Sequence, residues 1–515
     1  LLNLPATALR ENPRQNIRGG AALLAAAGRQ LSGGALPNST GGWYAAVAES
    51  SGSSELLSAQ GFADDVYARL RAGASRSTDD GRIVQLRGEP AVHPDRTLIA
   101  ALHLAKPRPS SVECPANVDC SFLPAAYAQN SVDKGDYGNY DQAKRPTDLK
   151  INYIVIHDTE GSFQGTLDTF TDPTSLVATH YVVRSSDGHV TQMVPTKNVP
   201  FHAGNWYFNM HSIGIEHEGI AESGGTWYTE AMYRSSARLV RYLAHRFQIP
   251  LDRQHILGHD NVPGIDPAHI ADMHWDPAVY WDWSHYLSLL GAPIRGHGGE
   301  HSAMVTINPN FQTNQPAVSG CDGVKNLPVQ GSSAVYLHTG PSGTAPLLSD
   351  HALHLDGAQG TTRICDWGDR ASTGQQFMVA GRDGDWTAIW YGGQKAWFEN
   401  PARHPTAVSA RGLAVRARPG RTSVPVYGRA YPEAAAYPGS IPVQPVTPLG
   451  YSVAAGQSYV LGEPTGSDYY YAKTVDSSLP DDHTVVSGTD RYYEIQLGYR
   501  VAYVRSADVM VVPAR

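Results

Sequence analysis

The sequence predicts a multidomain chain: a central α/β domain with a mixed sheet flanked by helices, a helical segment before it, and an all-β region after it. Three observations carry this. The 515 residues exceed what one core organises, since domains average on the order of 100–200 residues. Apolar β-branched runs alternate with a long helical pattern only between 151 and 293, the signature of an α/β unit. Beyond 322 the chain carries short strand patterns punctuated by Gly and Pro, with no helical period.

Composition excludes several classes. Charged residues make up 17% and hydrophobic residues 41%, which supports packed cores and rules out intrinsic disorder. The 51 glycines and 35 prolines favour turns over coiled coils or helical solenoids. A net charge of -8 with unclustered Lys and Arg gives no field for nucleic acid. The longest small-apolar run, AALLAAA at 21–27, is far short of the roughly 18 residues of a membrane span.

Taken in order, residues 1–105 read as helices at 16–31, 41–52 and 61–73, where Phe62, Val66, Tyr67 and Leu70 share one helical face. Residues 106–148 form a loop region, with PRPSS at 107–111 and the run CPANVDC holding Cys114 and Cys120. A second cysteine pair is Cys321 and Cys365. Two closed disulfides would place the protein in an oxidising compartment. The chain opens Leu1-Leu2 with no Met, so an export leader is expected to have been removed or to lie upstream.

The central domain spans 149–293. INYIVIH and THYVVR read as buried strands, and 227–247 as a helix. Residues 294–322 are Gly-rich and polar and read as a linker. Two all-β modules follow, at 323–405 and 406–515. Their strongest signal is internal: DWTAIWYGGQKAWF at 385–398 aligns without gaps on RYYEIQLGYRVAYV at 491–504, at an offset of 106, which implies two copies of one unit.

Three separated pieces of the central domain carry chemistry. IVIHDTEG ends a strand on His157, GHDNVPG sets His259 beside a glycine-rich loop, and MHWDP supplies His274 and Asp276. Zinc binds neutral imidazole and carboxylate, and a catalytic site uses three protein ligands with a fourth position open to water. His157, His259 and Asp276 would give two nitrogens and one oxygen. His255 and His259 stand four apart, but Ile256 takes the place of the glutamate of HExxH and Gly258 argues against a helix, which makes the zincin reading the weaker one.

These pieces resemble the zinc-dependent N-acetylmuramoyl-L-alanine amidases, the fold shared with phage lysozyme-type amidases and peptidoglycan-recognition proteins. Six elements match in order: the strand ending at His157, ATHYVV followed by Asp187-Gly188, His202-Ala203-Gly204, Ser212 to Glu216 (SIGIE), Gly258-His259, and Asp276-Pro277. The resemblance implies one zinc ion (Zn2+) per chain on His157, His259 and Asp276. It implies Glu216 as general base, because Thr179 stands where a subgroup has tyrosine. His274 replaces the lysine that steadies the oxyanion in many members and is read as a neutral donor. An exchange in which His274 binds zinc and Asp276 orients it stays open, as does an exchange of roles between Glu216 and Glu218. His202, Asn205 and Trp206 are expected to line the substrate groove, His180 to be a core histidine and Glu160 a solvated loop residue.

The implied reaction is hydrolysis of the amide between the lactyl group of N-acetylmuramic acid and L-alanine, by water that zinc activates and Glu216 deprotonates. The implied partner is bacterial peptidoglycan, met by a secreted, wall-associated monomer acting as autolysin or lysin. The alternative is a catalytically silent wall-binding protein of the same fold. Each β module resembles, at its end, the bacterial SH3-like barrels attached to wall enzymes. The N-terminal segment is similar to the later half of lytic transglycosylase domains, without their catalytic glutamate.

Overall fold

The computed structural model describes residues 2, 4–77, 83–105, 112–299, 301–323 and 325–514; the PRPSS run at 107–111 lies outside them. The N-terminal segment is helical: α1 (Pro13–Leu31), α2 (Tyr44–Glu49) and α3 (Leu56–Ala72). α1 starts where the Asn12 side chain accepts from the Gln15 amide and Pro13 takes the first turn, both ordinary helix-start devices. Phe62, Val66, Tyr67 and Leu70 of α3 pack on Tyr44 and Val47, the single face their spacing predicts. Arg234 and Arg238 of the central domain both pair with Asp65 and fasten this segment down.

The central sheet has six strands: β1 (Cys120–Phe122), β2 (Tyr153–Asp158), β3 (Tyr181–Val183), β4 (Val190–Gln192), β5 (Ser212–His217) and β6 (Ile256–Gly258). Their order is β6-β2-β5-β3-β4-β1, mixed, with β6, β2, β5 and β3 mutually parallel and β4 antiparallel to β3. Helices α4 (Phe163–Thr171), α5 (Trp206–His211), α6 (Glu230–Phe247) and α7 (Trp283–Leu290) complete the domain. In HILGH, Ile256–Gly258 is strand and His259 opens a short 3-10 turn, so the five residues form no α-helix.

Strand alternation decides what faces the site. Along β2, Ile154 and Ile156 pack with Met232, Leu239, Val240 and Leu243 of α6, while Tyr153 and Val155 belong to the opposite core. His157 follows Tyr153 and Val155. Along β5, Ile213 and Ile215 face the helices, so Ser212, Gly214 and Glu216 share the other face. Parallel pairing then sets Glu216 directly beside His157.

Beyond the central domain the strands are antiparallel. The first sheet runs β10-β9-β8-β7-β11, from β7 (Met304–Ile307), β8 (Gln376–Asp383), β9 (Trp386–Tyr391), β10 (Gln394–Glu399) and β11 (Ala407–Ala410). The second runs β14-β13-β17-β16-β15-β12-β18, from β12 (Leu413–Ala417), β13 (Ser423–Tyr427), β14 (Pro448–Ala454), β15 (Tyr459–Thr465), β16 (Tyr492–Gln496), β17 (Val501–Arg505) and β18 (Val509–Pro513). The repeat at 385–398 and 491–504 is the hairpin β9–β10 in one sheet and β16–β17 in the other. Matching β7, β8, β9, β10 and β11 to β12, β15, β16, β17 and β18 gives the same neighbour order in both.

Two expectations change here. β7 lies inside the stretch read as a linker: Met304, Val305 and Ile307 are buried, and a four-residue strand between polar flanks leaves too little pattern to see. Both sheets are open in strand order, so closed barrels are not formed among the described residues. The hairpin turns of the two copies touch. The Gly392 amide donates to the Leu497 carbonyl at 2.6 Å, and a Cβ on Gly498 would sit 3.2 Å from the Tyr391 ring, so the repeated glycine allows this approach.

The β sheets and the central domain share one continuous core, in which Tyr153, Val155, Tyr207 and Phe208 pack with Tyr431, Tyr492, Val501 and Tyr503. Both cysteine pairs, Cys114–Cys120 and Cys321–Cys365, are joined.

Candidate metal centre

The C-terminal ends of parallel strands are where α/β sheets place ligands, and a pocket of about 430 Å3 opens there. His157 arrives from β2, His259 from the turn after β6, and Asp276 from the loop before α7. All three are buried, and one ligand atom from each lies within 4.8 Å of the others. His259 Nδ1 stands 3.1 Å from Asp276 Oδ1, and His157 Nδ1 stands 3.6 Å from Asp276 Oδ2. The Asp158 amide donates to Asp276 Oδ2 at 3.0 Å and fixes the carboxylate.

A chain of hydrogen bonds behind His157 sets its tautomer. The Ser212 hydroxyl donates its one proton to the Phe208 carbonyl at 2.6 Å, so toward His202 Nε2, 3.1 Å away, it accepts. His202 therefore carries its proton on Nε2, and its bare Nδ1 accepts from His157 Nε2 at 2.9 Å. His157 is left with a lone pair on Nδ1, aimed at Asp276. Both rings are neutral. Burial, with His259 adding, lowers His157 to about 4, and burial holds His202 well below the usual histidine range. A second ring that orients a ligand histidine is the usual support of a metal site. Gly214 makes this possible, because a Cβ there would come within 2.8 Å of the His202 ring.

These residues fit a metal ion. A bare imidazole lone pair facing a carboxylate lacks any proton between them, and a cation supplies the missing positive charge. His259 Nε2 and Glu216 Oε2 are buried without a hydrogen-bond partner and belong to residues that line the same pocket, where a ligand can supply the missing bond. Two nitrogens and one carboxylate oxygen are the donor set of a catalytic zinc site.

Glu216 lines the pocket next to this cluster. Burial pushes its carboxyl well above the ordinary range, and the Asp276, Asp158 and Glu160 charges add to the effect. Glu218 is occupied elsewhere: its two oxygens accept from the Phe163 and Ser185 amides at 2.9 and 2.8 Å. It stands past the end of β5 and does not line the pocket. His274 sits at the rim, its side chain 73% exposed and its Nδ1 3.8 Å from Asp276 Oδ1, outside the three-residue cluster.

The residues expected to line the groove are placed differently. His202 forms part of the wall, with both ring nitrogens engaged as described. Asn205 is buried; its Oδ1 accepts from the Tyr207 amide, and its Nδ2 donates to the Pro263 and Gly428 carbonyls at 3.0 and 2.8 Å. It caps α5 and ties it to the second β sheet. Trp206 Nε1 donates to the Tyr470 carbonyl at 2.9 Å, so that side chain belongs to the seam between domain and sheet. His180 is a satisfied core residue between Arg145 and the Gly214 amide.

Two pocket residues carry no sequence signal beyond their neighbourhood. Asp158 accepts from Tyr228 Oη at 2.6 Å and from the Glu160 amide at 2.8 Å, and burial raises it to about 8. Glu160 is an exposed loop residue, as expected, and its Oε1 accepts from the Ala221 amide at 3.0 Å. The facing wall comes from α4 and its approach, with Ser162, Thr166, Thr169 and Phe170.

The family model described as N-acetylmuramoyl-L-alanine amidase matches residues 147–279. N-acetylmuramoyl-L-alanine amidase A of Achromobacter lyticus is 33% identical over 177 residues, covering 31% of this chain and 90% of the relative. The chain belongs to the N-acetylmuramoyl-L-alanine amidase family. The 1,6-anhydro-N-acetylmuramyl-L-alanine amidase AmpD of Haemophilus influenzae is 30% identical over 172 residues, covering 28% of this chain and 86% of the relative. Among solved structures, the amidase AmiD of E. coli, in complex with anhydro-N-acetylmuramic acid-L-Ala-D-gamma-Glu-L-Lys, matches at 23% identity with a TM-score of 0.24. That match covers 30% of this chain and 62% of AmiD, just under two thirds. The amidase match in this chain ends well before the β sheets begin. No helix among the described residues is long and apolar enough to cross a membrane.

Proposed function

We propose that this amidase hydrolyses the bond between the lactyl group of N-acetylmuramic acid and L-alanine in peptidoglycan, with one zinc ion held by His157, His259 and Asp276. The observation that carries the reading is the buried His157–His259–Asp276 cluster beside an unpartnered Glu216. Zinc, when bound, supplies a Lewis acid and lowers the pKa of water to near 7. Glu216 takes the proton of the attacking water and hands it to the departing alanine nitrogen. A carboxyl that burial holds high suits a group that keeps a proton between those steps. His202 and Ser212 hold His157 in the tautomer that presents Nδ1. His274, lowered from its ordinary value by burial with His259 adding, donates from the rim to the developing oxyanion as a neutral ring. A catalytically silent binding protein would have no use for Glu216 kept buried and unpaired.

The two β sheets serve as SH3-like wall-binding modules, for which their shared strand order and repeated hairpin speak. The protein acts outside the cell as a monomer, and the N-terminal helices form a non-catalytic segment. The deciding experiment is mass spectrometry of purified wall after digestion. Stem peptides with a free L-alanine amino terminus are expected, released by the metal-loaded enzyme and not in chelator. Wall left intact by enzyme carrying stoichiometric zinc would overturn the reading.

A further inference from the structure

A second cleft, of about 320 Å3, opens on the seam between the central domain and the second β sheet. Its walls are aromatic. Phe201 and Trp206, with ring centres 6.0 Å apart, come from the central domain, and Tyr431 and Tyr469, 5.1 Å apart, come from the β region. Charge is set among these rings. Asp141 is buried and accepts from Tyr137 Oη. Arg429 is buried at 8% exposure, its guanidinium carbon 4.7 Å from the Tyr431 ring centre. Its Nη2 donates to the Pro445 carbonyl at 2.8 Å, while its Nε is buried with no partner. Lys473 stands exposed among the lining residues. Among the described residues, no carboxylate forms an ion pair with Arg429 or Lys473.

A buried guanidinium without a carboxylate, an exposed ammonium and facing aromatic rings together fit an anionic ligand with a flat apolar face. We propose that this cleft binds a saccharide of the glycan strand bearing a free lactyl carboxylate, the muramic acid that remains once the stem peptide is removed. The aromatic walls take the C–H face of the sugar ring, Arg429 and Lys473 take the carboxylate, and Asp141 accepts from a ring hydroxyl. The choice of ligand rests on the amidase reading, because that carboxylate is created only when the lactyl amide is cut. Position supports it. Phe201 lines this cleft, and the next residue, His202, braces His157, so the cleft and the catalytic pocket lie on either side of one segment. A chain that holds stripped glycan here stays on a strand it has begun to clear.

The test is calorimetric titration of the full chain with N-acetylmuramic acid and with N-acetylglucosamine, which lacks the lactyl carboxylate. N-acetylmuramic acid is expected to bind at least about tenfold more tightly, the size of one charge-assisted hydrogen bond. That advantage is expected to vanish in Arg429→Gln and Lys473→Ala and to persist in Glu216→Gln. Lys473 is exposed, so its substitution leaves the fold intact. Equal binding of the two sugars, an advantage that survives in Lys473→Ala, or displacement by an L-Ala-D-Glu peptide overturns the proposal. Neither sugar contains the scissile amide. A chain that shows the preference yet releases no stem peptide would overturn the amidase reading alone; one that cuts wall but prefers neither sugar would overturn the cleft alone.

Discussion

The catalytic pocket and the seam beneath it both bury ionisable groups, and they differ in how far the rest of the chain pairs them. At the seam, buried polar groups hold at least one partner from the other half of the chain, with single atoms such as Glu494 Oε1 and Asp260 Oδ1 left over: Tyr153 Oη donates to Glu494 at 2.5 Å, Tyr499 donates to Asp260, and Asn261 donates to the Tyr499 carbonyl at 3.1 Å. In the pocket, Glu216 Oε2 and His259 Nε2 are buried with nothing to bond, and the His157 lone pair faces a carboxylate. Cross-paired burial stabilises and specifies a fold, whereas unpaired atoms that line a pocket are open to a ligand. Both regions sit on the same strand, with Tyr153 at one end of β2 and His157 near the other.

Breaking the pocket should abolish function without unfolding the chain. Stripping the metal, or Asp276→Ala, is expected to remove wall hydrolysis altogether, with zinc content by elemental analysis falling from one per chain. Glu216→Gln is expected to keep the zinc and lose about 10²–10⁴-fold in rate. If Glu218 variants show that loss and Glu216 variants do not, the division of roles between the two is wrong. Next in size is His202→Gln, which removes the brace on His157. Zinc affinity measured by competition with a chelator is expected to weaken about 10–100-fold, and an unchanged affinity would mean the tautomer chain has no part in metal binding. His274→Ala should cost less than the roughly 10²–10³ of an enclosed oxyanion donor, because the ring is mostly exposed. About tenfold in kcat at unchanged zinc content is expected.

Breaking the seam should do the reverse. Tyr153→Phe removes the donor to Glu494, and leaving a buried carboxyl unsatisfied costs about 1–3 kcal/mol. The expected result is a lower Tm with kcat on soluble muropeptides nearly unchanged. An unchanged Tm together with lost activity would show the two regions to be one functional unit.

The pocket was legible in the sequence because its pieces are local. A strand run ending on His157, SIGIE with its alternation, GH and DP each carry their own spacing, and alternation alone puts Glu216 on the face of His157. The seam was not legible, because its contacts join residues hundreds of positions apart, such as Tyr153 with Glu494, and no local period records that. The same blindness explains Asn205 and Trp206. A polar residue beside an aromatic reads as one groove, and only the folded chain reveals that Asn205 is spent on the Pro263 and Gly428 carbonyls while Trp206 lines the seam cleft and not the metal pocket. The β repeat was visible at its best-patterned hairpin, whereas β7, four residues between polar flanks, was hidden.

The effect that separates the two regions by titration concerns His255. Its Nδ1 lies 2.7 Å from Asp252 Oδ1, and its Nε2 lies 3.7 Å from Glu463 Oε2 across the seam. Burial opposes its charge, but the Asp252 and Glu463 carboxylates outweigh that and raise it to about 10. A histidine whose folded pKa lies above its unfolded value of about 6.5 contributes stability fully below pH 6.5, and that stability is lost as pH rises through about 10. Glu494 acts in a different window. Burial raises it to about 8, so it becomes a cost as pH climbs from its unfolded value near 4.5 toward 8 and adds nothing further beyond. Tm of the wild type should therefore keep falling between pH 8 and 10, whereas His255→Gln should fall less steeply over that interval and be already lower at pH 6, with Glu494, which the His255 charge lowers, accounting for the remaining slope. If His255→Gln and the wild type fall in parallel from pH 8 to 10, the charge at the seam is not held by this histidine, and the contrast between a paired seam and an unpaired pocket loses its clearest titrating member.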